Sequence, residues 1–277
     1  MTVWDPRVRP APVRISALGW AIAVVRGVLL AATTYGGLLL LLVVRVIERP
    51  VAGPDRPLTP FITQGICRVA IGILGIGYKV HGTPMSHQGA AVANHASWLD
   101  IFALNACQRV YFVSKSEVSG WPAIGWLARA TGTAFIDRDP TKAKAQQGLF
   151  EARIRAGHKL LFFPEGTSTD GKRVLRFKSS LFAAFFTHGL EHVMQIQPVS
   201  VIYHAPKGRD PRFYGWWGDM DFGPHLLLSL SQPRQGLVEV VFHDPVSVED
   251  FASRKALAAY CEARVRDGLD RRSGLDT

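Results

Sequence analysis

Cysteine is scarce and scattered in this chain of 277 residues: Cys67, Cys107 and Cys261 are odd in number and form no C-x-x-C pair. That speaks against a disulfide framework and a zinc site alike, and fits a reducing compartment. His188, His192, His204, His225 and His243 have no metal-ligand partner at recognisable spacing and read as structural, so neither a metal nor another cofactor is expected. No G-x-S-x-G segment occurs, which disfavours a serine hydrolase built on a nucleophile elbow. Nucleic-acid motifs and internal repeats are missing too. Acid is in short supply: 22 Asp and Glu stand against 32 Lys and Arg, a formal net charge of +10. Such an excess calls for an anionic partner, and without a nucleic-acid motif the surface of an anionic membrane is the better fit.

What the chain does have is apolar residues, 48% of the total, enough to bury the core of one large α/β domain with an accessory piece. Residues 27–44 form an uncharged run of 18. As a helix it would be ~27 Å long, close to the ~30 Å hydrocarbon thickness of a bilayer. It is long for a signal-peptide core and leads straight into Arg45 and Arg49 without a small-residue cleavage pattern, so an uncleaved membrane anchor is expected. Arginines on both sides leave the orientation open, with a hairpin-like or in-plane insertion among the possibilities. Residues 49–60, with four prolines and a glycine, read as a linker, and residues 61–77 as a helix that lies in the membrane surface, packs on the anchor or belongs to the core.

The stretch that carries chemistry is residues 94–100, Asn-His-Ala-Ser-Trp-Leu-Asp, with His95 five positions ahead of Asp100. Residues 89–93 before it are small and apolar like a buried strand, and Ser97 ahead of Trp98 and Leu99 reads as the cap of a helix. A strand-to-helix turn that folds back lets Asp100 accept a hydrogen bond from one ring nitrogen of His95. The other nitrogen is then free to take a proton from a substrate hydroxyl. By itself an H-x-x-x-x-D spacing arises by chance. A second stretch adds weight: residues 160–163 are an apolar strand ending in Pro164, Glu165 and Gly166, and open α/β sheets build their sites at the carboxyl ends of strands.

The two motifs, in this order and at this distance, resemble the glycerolipid acyltransferase family, whose 1-acylglycerol-3-phosphate acyltransferases carry N-H-x-x-x-x-D and F-P-E-G-T. Residues 132–138, Gly-Thr-Ala-Phe-Ile-Asp-Arg, look like the family's second block, and Gln197, Pro198, Val199 and Ser200 like its fourth. Ser168 stands where the third block commonly has arginine. Thr169, Asp170 and Gly171, with Gly218, Asp219 and Met220 and then His225 and Leu226, resemble a branch that includes lyso-ornithine lipid acyltransferases.

The resemblance implies a lysophospholipid O-acyltransferase on the cytoplasmic (inner) membrane, its catalytic domain facing the cytoplasm. Acyl-CoA or acyl carrier protein would be the donor and 1-acylglycerol-3-phosphate the main expected acceptor, with lyso-ornithine lipid the alternative. It further implies His95 and Asp100 as catalytic residues, with Arg138, Glu165, Gly166, Thr167 and Lys178 binding substrate. A non-catalytic membrane-surface protein that binds anionic lipid would share the charge and the anchor but leave the His–Asp pair unexplained.

Around these motifs strand and helix alternate. Strands are expected at 78–82, 89–93, 109–114, 133–137, 159–163, 195–202 and 237–243, and helices at 97–107, 121–130, 141–156, 178–190 and 248–268. That rhythm predicts an α/β fold with a mixed, largely parallel central sheet flanked by helices. Residues 1–77 form the membrane-associated helical element and residues 78–277 the acyltransferase domain. Two local readings stay open: the basic run Lys172, Arg173, Arg176 and Lys178 is a solvated loop or a phosphate grip, and Phe213, Tyr214, Trp216 and Trp217 are core or a lipid-headgroup contact.

Overall fold

The computed structural model describes residues 5, 7–53, 55–87, 89–137, 143–186 and 194–273, and, for 143–147, the backbone alone. At its centre lies β2 (Gly89–Ala93), every residue of which is buried. On one side it pairs in parallel with β6 (Gln195–His204) and on the other with β5 (Leu160–Phe162). Beyond β5 follow β3 (Tyr111–Lys115) and β4 (Ala134–Ile136), also parallel. Beyond β6 comes β7 (Leu237–Phe242), antiparallel to it, and then β1 (Gly77–His81), parallel to β7, while the short β8 (Val246–Ser247) pairs with β6 off this path. The sheet is therefore mixed and largely parallel, as the alternation of elements predicts.

Successive strand residues point to opposite faces, and both faces are covered. Ala91 and Ala93 join one layer with Ala23 and Leu30 of α1 (Ala17–Ala52), Ala70 and Leu74 of α2 (Thr59–Leu74), Ala103 and Leu104 of α3 (Asp100–Cys107) and Leu230 of α6 (Phe222–Leu230). Ala90 and Val92 join the other with Phe150 and Ile154 of α5 (Ala143–Arg155) and Leu257, Cys261, Val265 and Leu269 of α7 (Arg254–Ser273). The small side chains of β2 let helices approach closely from both sides. The short α4 (Ile124–Ala130) completes the helices named here.

Several boundaries differ from the sequence expectation. The linker begins later, because α1 runs through Pro50 to Ala52 before Gly53, at φ 55, donates back to Arg49 O. A proline this close to the end disturbs little of the helix beyond it, and Arg45 holds the Gly53 carbonyl at 2.6 Å. Ser97 does not cap α3: its hydroxyl is buried without a partner among the described residues, the cap residue is Leu99, and the amides of the turn are taken by Asp100 instead. The helix expected at 178–190 is a 3-10 helix at Ser179–Phe186, and residues 187–193 lie outside the described residues. The last helix starts at Arg254 rather than 248, after β8 and a 3-10 turn at Val248–Asp250. α6 and β8 were not foreseen. Phe213, Tyr214 and Trp217 are buried core.

α1 is 36 residues long, and its side chains from Leu18 to Val51 include many exposed apolar ones. It is long and apolar enough to cross a membrane, and it marks the molecule as membrane-associating. Two polar ties bind it to the rest. Arg26 donates to the carbonyls of Leu230 (3.1 Å) and Gln232 (2.6 Å) at the end of α6. Near the other end, buried Glu48 accepts from the amides of Leu58 (2.6 Å) and Thr59 (3.0 Å) and from the Thr59 hydroxyl (2.8 Å). α2 has no side-chain cap of its own, so a carboxylate from α1 serves the orphan amides at its positive end. Between the ties the helices meet closely at Gly37, where an added Cβ would lie 2.2 Å from the Ile66 side chain.

Candidate active site

β2 ends at Ala93, and Asn94 turns the chain out of the sheet without leaving it. Its side-chain amide pairs with the backbone of Val201 on β6, donating to the carbonyl at 2.9 Å and accepting from the amide at 2.8 Å. The next residue, His95, therefore emerges at the carboxyl end of the central parallel strands. Its backbone is fixed on both sides: the amide donates to Glu165 Oε1 at 2.8 Å, and the carbonyl accepts from Thr169 N at 2.8 Å. The ring stacks on Phe163, centroids 4.1 Å apart and 17° between planes, with Phe112 stacked behind Phe163.

The imidazole Nδ1 lies 2.7 Å from Asp100 Oδ2, and that oxygen also accepts the amides of Ala96 (2.9 Å) and Ser97 (3.1 Å). Asp100 Oδ1 accepts the Tyr203 hydroxyl at 2.8 Å. Burial, and next the Asp100 charge, hold the Tyr203 phenol well above its ordinary range, so it remains the donor. Four donors thus converge on a carboxylate with no exposed surface, which fixes its position beside the ring. With Nδ1–H given to Asp100, Nε2 is the nitrogen left to accept a proton. The His95 side chain retains 22% of its exposure while Asp100 has none. The pair can therefore serve as an oriented general base, buried on the carboxylate side and open on the other.

The other sequence-designated residues fall as follows. Glu165, 2% exposed, gives Oε1 to His95 N and Oε2 to Leu175 N (2.7 Å), so both its oxygens brace backbone. Burial pushes this carboxyl up to about 8, against the pull of those two amides. Gly166 has φ 70, where a side chain is strained. Its missing Cβ leaves room for Lys178, whose ammonium would sit 2.5 Å from that atom. Thr167 is exposed beside them, and Arg138 lies outside the described residues. In the basic run, Arg173 forks onto buried Asp170 and Lys172 reaches the Tyr203 carbonyl, while Arg176 is exposed.

Comparison with known proteins adds identity to this geometry. The sequence model described as Acyltransferase matches residues 78–202. A lyso-ornithine lipid O-acyltransferase of Rhodobacter capsulatus is 65% identical over 248 residues, covering 90% of this chain and 90% of that one. The chain belongs to the acyltransferase family. A 1-acyl-sn-glycerol-3-phosphate acyltransferase of Neisseria gonorrhoeae is 31% identical over 144 residues, 50% of this acyltransferase and 54% of that protein. The crystal structure of the 1-acyl-sn-glycerophosphate acyltransferase PlsC from Thermotoga maritima superposes with a TM-score of 0.63 at 20% identity, covering 92% of this chain and 97% of that one, which shows a shared fold. The acyltransferase is an enzyme, and the non-catalytic lipid-binding alternative is set aside.

Sequence reasoning missed Asn94, Phe163, Thr169 and Tyr203. Each supports the His–Asp pair through contacts not foreseen from sequence, although Asn94 and Phe163 lie inside the two motifs and Thr169 just after the second. Nothing near Tyr203 in sequence marks it, since its partner is 103 residues away.

Proposed function

We propose that this acyltransferase moves an acyl group from a thioester donor, acyl-CoA or acyl carrier protein, to the free hydroxyl of a lyso-ornithine lipid. His95 Nε2 takes the hydroxyl proton as the oxygen attacks the thioester carbonyl. The C–O bond forms, the C–S bond breaks, and the departing thiolate recovers the proton from the imidazolium. A thiol with a reference pKa of ~8.5 leaves readily, so the chemistry needs no covalent enzyme intermediate. Asp100 holds the ring in its productive tautomer, and Glu165 and Gly166 shape the turn. Lys178 and Arg138 contribute positive charge to the acceptor site, with Thr167 at its edge.

The observation that carries the reaction type is the Nδ1 to Asp100 contact of 2.7 Å at the open end of the sheet. The choice of acceptor rests on the relative from Rhodobacter capsulatus, 65% identical over most of both chains. Ser168, where arginine is common in the family's third block, supports the same choice. The earlier expectation of 1-acylglycerol-3-phosphate as main acceptor accordingly moves to second place, supported by the more distant relative from Neisseria gonorrhoeae.

The test offers labelled acyl donor with either acceptor to membranes containing wild type or His95→Ala. Transfer to lyso-ornithine lipid by wild type, lost in the variant, is expected. Preference for 1-acylglycerol-3-phosphate would reverse the ranking of acceptors, and equal activity of the two proteins would remove His95 from the reaction.

The placement we favour for α1 is in the plane of the cytoplasmic leaflet of the inner membrane, with the catalytic domain in the cytoplasm. The ties at Arg26 and Glu48 support it, because ~33 Å of helix between them, at ~1.5 Å per residue, runs alongside the domain.

A further inference from the structure

At the end of the sheet opposite His95, where β2, β3 and β5 begin, a cavity of about 450 Å³ opens beside the amino terminus of α2. That volume lies within the ~300–1,000 Å³ of small-molecule sites. Its charged lining is Arg56, Arg109 and Lys159 against a single acid, Asp55. Among the described residues none of the three cations pairs with a carboxylate. Arg56 donates to the Ala130 carbonyl at 2.7 Å and Lys159 to that of Met85. The Arg109 guanidinium lies over the Phe61 ring, 4.1 Å from its centroid.

Arg109 and Lys159 are close enough to oppose one another. Burial first, and then Arg109, pulls Lys159 below its ordinary range; burial, and then Arg45, does the same to Arg56. Arg56 is also held at φ 48, a left-handed conformation that is strained for a non-glycine residue. Gln108 also lines the cavity, is 6% exposed, and among the described residues has no partner for either its Nε2 or its Oε1. A buried amide left unpaired is costly. The lining thus carries more positive than negative charge, together with an amide that a ligand could satisfy.

The rim supplies the rest of the ligand's chemistry. Phe61, 56% exposed, forms part of the wall, and Leu58, whose carbonyl accepts from the Phe61 amide, is 57% exposed. Both stand at the start of α2, next to the cationic lining. We propose that the cavity binds the phosphate of an anionic phospholipid, whose acyl chains lie over Phe61 and Leu58. This is a lipid site separate from the catalytic one, since His95 and Glu165 stand at the opposite ends of the same strands. A free phosphate would match the cations but make no use of the apolar rim.

The test uses the purified full-length protein in detergent and follows thermal unfolding with dihexanoyl phosphatidylglycerol, dihexanoyl phosphatidylcholine or inorganic phosphate. Wild type is expected to be stabilised saturably by phosphatidylglycerol and not by phosphatidylcholine at the same concentrations. In Arg109→Gln/Lys159→Gln the apparent affinity should fall roughly tenfold or more, as two charge-assisted contacts are removed. An equal response to both lipids, an unchanged response in the variant, or a full response to inorganic phosphate alone would overturn the proposal. Because loss of Arg109 from the Phe61 ring can weaken the fold itself, a second measurement uses wild type only. Phosphatidylglycerol with a photoreactive acyl chain should label the peptide containing Leu58 and Phe61, and labelling confined to other segments would overturn the assignment. Neither readout depends on acyl transfer.

Discussion

Glu165 is a carboxyl in a nearly dry place, and its titration gives the site a pH dependence that His95 alone would not. Its ordinary value of 4.5 is raised to about 8 by burial. The folded state therefore favours the neutral acid, and the sign follows from linkage: its contribution to stability is complete below about 4.5 and is lost as pH rises through about 8. Thermal stability of wild type should decline across that window, whereas Glu165→Gln, which cannot ionise, should show a flatter profile; parallel profiles would contradict the assignment. Tyr203 supports a second expectation. In Tyr203→Phe, Asp100 Oδ1 loses its donor, and a charge-assisted bond of this kind is worth ~1.5–3 kcal/mol. Steady-state kinetics should show kcat reduced about tenfold or more with KM little changed, because the phenol touches the orienting carboxylate and not the substrate.

At the scale of elements, α2 depends on a neighbour for its start. Glu48→Ala removes the carboxylate that accepts from Leu58 and Thr59, and loss of a cap costs ~0.5–2 kcal/mol. The variant should unfold at lower temperature, with amide exchange faster in the first turn of α2 than in α7. The strands were largely legible in sequence because buried parallel strands are short apolar runs bounded by turns, as at Gly89–Ala93 and Leu160–Phe162. Helix ends were less so. Ser97 looks like a cap, but Asp100 takes the same amides with a charge, and α1 passes Pro50 because Arg45 and Gly53 hold its last turn. α6 escaped notice because its apolar residues run on without a face, being packed between α1 and the core. Of the site, the His–Asp pair and Glu165 were legible as local motifs; the residues that hold them were not, since they come from distant strands.

For the whole molecule, the exposed apolar residues of α1 dominate its dealings with lipid. Val25, Leu29 and Val43 are about half exposed or more and fall on one side of the helix by its 3.6-residue period. Replacing all three by lysine puts charges where each is costly in hydrocarbon, and should shift the enzyme from the membrane pellet toward the soluble fraction in sedimentation. The far-ultraviolet circular dichroism should stay unchanged, since among the described residues none of the three belongs to a buried core cluster.

The support of the catalytic turn by β6 has a consequence for how the enzyme comes to life. His95 and Asp100 are neighbours in the chain, yet the groups that fix their turn, Val201 at Asn94 and Tyr203 at Asp100, arrive from 107 and 103 residues downstream. Such distant pairings form slowly during refolding. A chain released from denaturant can regain much of its helix content while still inert, and catalytic competence should return only in step with protection of the Val201 amide, when β6 closes beside β2.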